Sequence, residues 1–120
     1  MKTYYRFKSY FNARHSVIFN GVTSNVHPHT WEVVVLFYSG EHEIINFSEF
    51  EGQIEKYFSN YEGKYLNDLN SFKGANPTLE NIAKVLFEDI KKMVNARNLL
   101  FYRIEVSENP TRTYIIDDQP

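Results

Sequence analysis

From Thr3 to Ala13, Tyr5, Phe7, Ser9 and Phe11 fall on one side at a period of two, which predicts a strand with one buried face. Gly21 to Asn25 is a run of mostly small residues and reads as a loop. Trp31 to Tyr38 is nearly continuously apolar, which predicts a second strand covered on both faces, and Ser39-Gly40 is a turn signal. The period then becomes helical. Ser48 can open a capping box, accepting from the amide of Glu51 while that glutamate reaches back, and Phe50, Ile54, Tyr57, Phe58 and Tyr61 follow at helical spacing. A second helix is predicted with Asn76 as N-cap, Pro77 at the first helical position and Glu80 near the positive end. Its apolar stripe is Leu79, Ile82, Ala83, Leu86, Phe87, Ile90, Met93 and Val94. Leu100 to Ser107 and Thr111 to Ile116 read as two closing strands around the Asn109-Pro110 turn. The order β-β-α-α-β-β predicts an α+β fold, a four-stranded antiparallel sheet with two helices packed on one face.

Length and composition narrow the function classes. The 120 residues have room for one domain, 1–120, and one substantial core. Ten Phe and nine Tyr within a hydrophobic content of 42% describe a globular chain. A formal charge of −2 argues against a nucleic-acid surface spread over the whole domain. The absence of cysteine excludes disulfides, thiolate metal ligands and a cysteine nucleophile. Met1 to Tyr10 lacks the apolar core of a signal peptide, and no apolar run approaches the roughly 20 residues that span a bilayer. The expectation is a cytoplasmic protein with no membrane or nucleic-acid partner.

Three of the four histidines, His15, His27 and His29, lie close together in the chain. His27 and His29 flank Pro28, which keeps the backbone extended, so both imidazoles point to one side. His15 ends the preceding strand, and antiparallel pairing could bring it beside them. Three neutral imidazoles with an open fourth position make a catalytic type of zinc site. The spacing alone is also compatible with solvated loop histidines. His42, beside Gly40 and Glu41, reads as exposed.

From about Tyr5 to Tyr114 the chain resembles the 6-pyruvoyl-tetrahydropterin synthase / 6-carboxytetrahydropterin synthase family. The segments that carry the resemblance are "FNARH" (Phe11 to His15), "HPHTWEVVV", "GEHEIINF", "YLND", "NPTLENIA", and Glu108 followed by Tyr114. The family's H-G-H stands here with Pro28 between its histidines. The resemblance implies that His15, His27 and His29 hold a zinc ion. It implies a Lewis-acid role for that zinc toward the side-chain hydroxyls of dihydroneopterin triphosphate, in pterin or queuosine-precursor metabolism. It implies that Glu108 grips the guanidine-like edge of the pterin by charge-assisted hydrogen bonds, with Thr78 facing the same pocket. It also implies a tunnel-like fold and a homohexamer of two stacked trimeric rings, which suits a sheet whose edges need covering.

The proton-transfer residues depart from the family. Thr23 stands at the position of the family's base, a cysteine four residues before the H-G-H. Glu62 and Gly63 stand where an Asp-His pair precedes "LN", and Asn46 replaces an aspartate before Phe47. Thr23 and Glu62 are therefore the candidate catalytic residues, Glu62 as a carboxylate whose pKa a desolvated pocket would raise. Three readings follow: a zinc-dependent lyase with altered acid-base residues, a zinc- and pterin-binding member without catalysis, and an oligomer whose histidines bind nothing.

Overall fold

The structure is a computed structural model, and it describes residues 1–38 and 45–118. The elements run β1 (Tyr4–His15), β2 (Ile18–Phe19), β3 (Val22–Thr23), β4 (His27–Tyr38), α1 (Phe47–Phe58), β5 (Lys64–Tyr65), α2 (Leu79–Asn95), β6 (Leu100–Asn109) and β7 (Arg112–Asp117). The main sheet has the order β5-β1-β4-β6-β7. Its last four strands pair antiparallel, as expected.

The expected four strands gain a fifth. Lys64 and Tyr65 pair parallel with Ala13 and Arg14 at the outer edge of β1. Gly63 makes this possible: at φ +72 it turns the chain along the edge, and its amide donates to the Asn12 carbonyl at 2.7 Å. A strand of two residues carries no periodicity, so the pattern could not announce it.

The buried face of the sheet is built from alternate residues, as the period of two requires, except where a register shift opposite Leu36 and Phe37 puts Phe101 and Ile104 of β6 on the same face. Phe11, Ala13 and His15 come from β1, Trp31, Val33, Val35 and Phe37 from β4, and Phe101, Ile104 and Val106 from β6. Against them lie Phe50, Ile54 and Phe58 of α1 and Ile82, Ala83, Leu86, Ile90 and Val94 of α2. Phe11 stacks between Trp31 at 6.0 Å and Phe58 at 5.2 Å, tying sheet to helix. The opposite face of β4 is less covered than its apolar run suggested. Only Val34 is buried there, while Glu32, Leu36 and Tyr38 are half-buried. Both helices bury their apolar stripes in the one core, so that face is screened by its own side chains, among them the stacked rings of Tyr4 and Tyr102.

Both helix caps sit away from the expected residues. At α1 the cap is Asn46, whose side chain accepts from the Glu49 amide at 3.0 Å, so Ser48 lies inside the helix. At α2 the cap is Thr78, accepting from Asn81, and Pro77 precedes the helix. Asn76 is thereby free for tertiary work, and its side chain pairs with both the amide and the carbonyl of Ile18 at 2.8 and 2.7 Å. The expected loop at Gly21 to Asn25 is instead half of a hairpin. Asn20 and Gly21 have φ of 52 and 75, the signature of a type I′ turn, and Val22–Thr23 pairs back on Ile18–Phe19. The Ser39-Gly40 turn and His42 lie outside the described residues. Among the described residues no helix is long and apolar enough to cross a membrane.

Candidate metal and ligand site

Strand register assembles the site. In the β1–β4 pair, His15 lies opposite His27 and Ala13 opposite His29. All three histidines share the core face of the sheet, at the end where it runs out from under the helices. The ring centroids of His15 lie 5.0 Å from His29 and 6.1 Å from His27. Glu108, at the irregularity of β6 between Ser107 and Asn109, turns its carboxylate to the same histidines. The Asn109-Pro110 turn then folds Arg112 back over it, closed by the Asn109 side chain accepting from the amides of Thr111 and Arg112.

His15 is the fixed point. It is only 4% exposed, and its Nδ1 lies 2.8 Å from the Pro77 carbonyl. A carbonyl can only accept, so the proton of the neutral ring sits on Nδ1 and the bare Nε2 faces the cluster. That is the arrangement in which an outer partner orients a metal-ligating imidazole. From His15 Nε2 the nearer carboxylate oxygen of Glu108 is 3.8 Å away, and from His29 Nε2 it is 4.0 Å. The other oxygen of Glu108 pairs with the Arg112 guanidinium at 3.1 Å. Burial, then the neighbouring His15, lower the pKa of His29 against the pull of Glu108, so a neutral, ligating ring is favoured.

The donor set therefore fits a divalent metal. The ligand atoms of His15, His29 and Glu108 all lie within 4.8 Å of one another. His27, more exposed, stands on the open side. Trp31 forms the floor, edge-on to His15 at 5.0 Å and to His29 at 5.5 Å, and its indole N–H donates to the Ala13 carbonyl. Above it opens a pocket of about 530 Å³ with Thr78, Glu80 and Arg112 on its walls and Val17, Phe19 and Leu79 as its apolar part. Thr78 uses its oxygen to cap α2, which leaves its hydroxyl proton to donate.

The candidate catalytic residues lie elsewhere. Thr23 is exposed on the small hairpin, opposite Ile18, and is not among the pocket's lining residues. Glu62 sits outside the edge of β1, where its two oxygens accept from the Asn12 backbone amide at 2.7 Å and side-chain amide at 3.0 Å. Those hydrogen bonds stabilise the charged form and hold its pKa below the usual value. The raised pKa expected for Glu62 is thus corrected, because it is exposed and hydrogen-bonded rather than desolvated. With its folded pKa depressed, Glu62 contributes stability above its unfolded pKa that is lost as pH falls through the folded one. The advantage of wild type over Glu62→Gln in urea unfolding should be present at about pH 6 and gone by about pH 2. An advantage that grows on acidification would contradict the Asn12 clamp.

Sequence reasoning did not foresee Arg112 on Glu108, although the tight Asn109-Pro110 turn between these two residues, four apart in the chain, was the available signal. Nor did it foresee Glu108 beside the imidazoles.

The fold and site together define a layered α+β domain that carries a candidate metal site of imidazoles and a carboxylate at one end of its sheet. The family model described as 6-pyruvoyl tetrahydropterin synthase matches residues 4–119, and the chain belongs to that family. Among solved structures it is similar to the 6-pyruvoyl tetrahydropterin synthase of Caenorhabditis elegans, with a TM-score of 0.81 and 16% identity over 99% of this chain and 97% of that one. A likeness also holds to the Plasmodium vivax enzyme of the same name, with a TM-score of 0.75 and 13% identity over 97% of each chain. The uncharacterized protein WS1659 from Wolinella succinogenes follows at a TM-score of 0.69 and 14% identity, covering 98% of this chain and 99% of that one. At such identities these likenesses establish the fold. Among curated proteins no relative matches the chain.

Proposed function

We propose that the protein is a zinc-dependent lyase of the tetrahydropterin synthase type, acting on dihydroneopterin triphosphate or a related pterin. The observation that carries this is the convergence of His15, His29 and Glu108, whose ligand atoms lie within 4.8 Å of one another above Trp31, with His27 beside them on the same face and the His15 tautomer set by Pro77. His15, His27 and His29 would hold the zinc, which when bound supplies Lewis-acid polarisation. The chain's own residues do the rest. Glu108, only 13% exposed, offers its carboxylate to the donor edge of a pterin, where desolvation strengthens each hydrogen bond. Thr78 donates its hydroxyl from the helix end, and Trp31 keeps water from beneath the imidazoles.

A second reading is a zinc- and pterin-binding member without catalysis. Its support is that Thr23 and Glu62 lie outside the pocket of a single chain. Incubating zinc-loaded protein with dihydroneopterin triphosphate, with neopterin binding followed by fluorescence quenching, separates the two. Binding with slow turnover supports the first reading, binding without turnover the second, and no binding contradicts both.

The working form is proposed to be a homohexamer, a dimer of trimers. The support lies in the sheet edges: β5 covers only two residues of β1, and β7 ends the sheet on the other side. Sedimentation at micromolar concentration should give a hexamer, and a clean monomer would contradict it.

A further inference from the structure

We propose that in the ligand-free protein Glu108 is itself a metal ligand beside His15 and His29, and that a bound pterin draws it away. The site is then closed when empty and open when loaded. This rests on the functional reading above and adds a regulation of that same site.

The observation is a pair of acceptors facing each other. With Nδ1 donating to the Pro77 carbonyl, Nε2 of His15 is the ring atom turned to the cluster, and in the metal-binding form of the ring it presents a lone pair. Opposite, at 3.8 Å, is a carboxylate oxygen, another acceptor, which also faces His29 Nε2 at 4.0 Å. Neither distance is a hydrogen bond. The ligand atoms of His15, His29 and Glu108 all lie within 4.8 Å of one another, and a cation between the three would engage all of them. Donor atoms about 2.0–2.2 Å from a tetrahedral metal stand about 3.3–3.6 Å apart, so the observed spacings of 3.8 to 4.8 Å close on a metal with an inward movement of roughly 1 Å or less. Arg112 fixes the orientation: it holds the far oxygen of Glu108 at 3.1 Å and leaves the near one aimed at the imidazoles.

With His27 as the remaining imidazole, Glu108 would complete four protein ligands, the mark of a closed site. A pterin whose guanidine-like edge pairs with Glu108 competes for that same carboxylate. Taking it leaves three imidazoles and one free position, and it releases Arg112, the cation that lines the pocket among the described residues.

The test is a Co²⁺ titration of chelator-stripped protein, read by visible absorption, on wild type, Glu108→Gln and Glu108→Asp. Glu108→Gln should bind Co²⁺ at least roughly tenfold more weakly than wild type, and Glu108→Asp, which keeps the charge, should fall between. Neopterin added to Co²⁺-loaded wild type should shift the d–d bands. Equal Co²⁺ affinity in wild type and Glu108→Gln, with neopterin still bound by wild type, would overturn the proposal and leave the functional reading standing. Failure of wild type to bind Co²⁺ at all would overturn both.

Discussion

Trp31→Ala is expected to cost about 3–5 kcal/mol, the range for emptying a large aromatic site. The ring is fully buried, stacks on Phe11, meets His15 and His29 edge-on, and anchors its N–H on the Ala13 carbonyl. Against the roughly 5–15 kcal/mol that holds most domains together, this removes a large share. The effect should extend beyond stability, because the imidazoles rest on that ring and would lose their fixed directions. Trp31→Phe keeps most of the packing and should cost about 1–3 kcal/mol, through the lost indole hydrogen bond and lost contacts. Urea unfolding of metal-free protein measures both without the stabilisation that a bound metal would add. A loss below about 1 kcal/mol for Trp31→Ala would show that the sheet end is not held by this packing.

Turnover is expected to be slow, by up to the roughly 10²–10⁴-fold that general acid-base catalysis typically contributes. Thr23 has a hydroxyl that needs its own base, and Glu62 is committed to Asn12. Thr23→Cys should raise the rate of zinc-loaded protein by at least about tenfold while leaving neopterin affinity nearly unchanged. Histidine at position 63 is a poorer repair, since Gly63 has φ +72 and a side chain there costs about 1–2 kcal/mol of backbone strain. Initial rates with dihydroneopterin triphosphate decide the matter. No gain in Thr23→Cys would mean that position 23 does not face the reacting carbon in the working assembly.

What the chain announces of its fold depends on how far each signal reaches. The strands around Phe11 and Val35, the stripe from Ile82 to Val94 and the Asn109 turn are periodic or chemically pointed, and each appears where its pattern places it. The caps moved by two residues because Asn46 and Ser48, or Asn76 and Thr78, are equally able to accept from a helix end, and tertiary bonds chose between them. Asn76 is held by Ile18, a partner fifty-eight residues away that no local window contains. The Asn20-Gly21 hairpin was legible from its turn residues alone and was missed because its strands are two residues long. At the site, the imidazoles follow from an antiparallel register that the sequence could suggest. The position of Glu108 depends on which strand pairs with the other edge of β4, a non-local choice.

The central claim is that His15, His27 and His29 hold one zinc ion. Metal content by mass spectrometry, on wild type and each histidine-to-alanine variant purified at neutral pH, tests it most directly. One zinc per chain in wild type is expected, falling sharply in all three variants. His15→Ala should also lose stability by leaving the Pro77 carbonyl unpaired, whereas exposed His27→Ala should lose metal alone. Unchanged zinc content in His27→Ala, or wild type without stoichiometric metal, would contradict the claim.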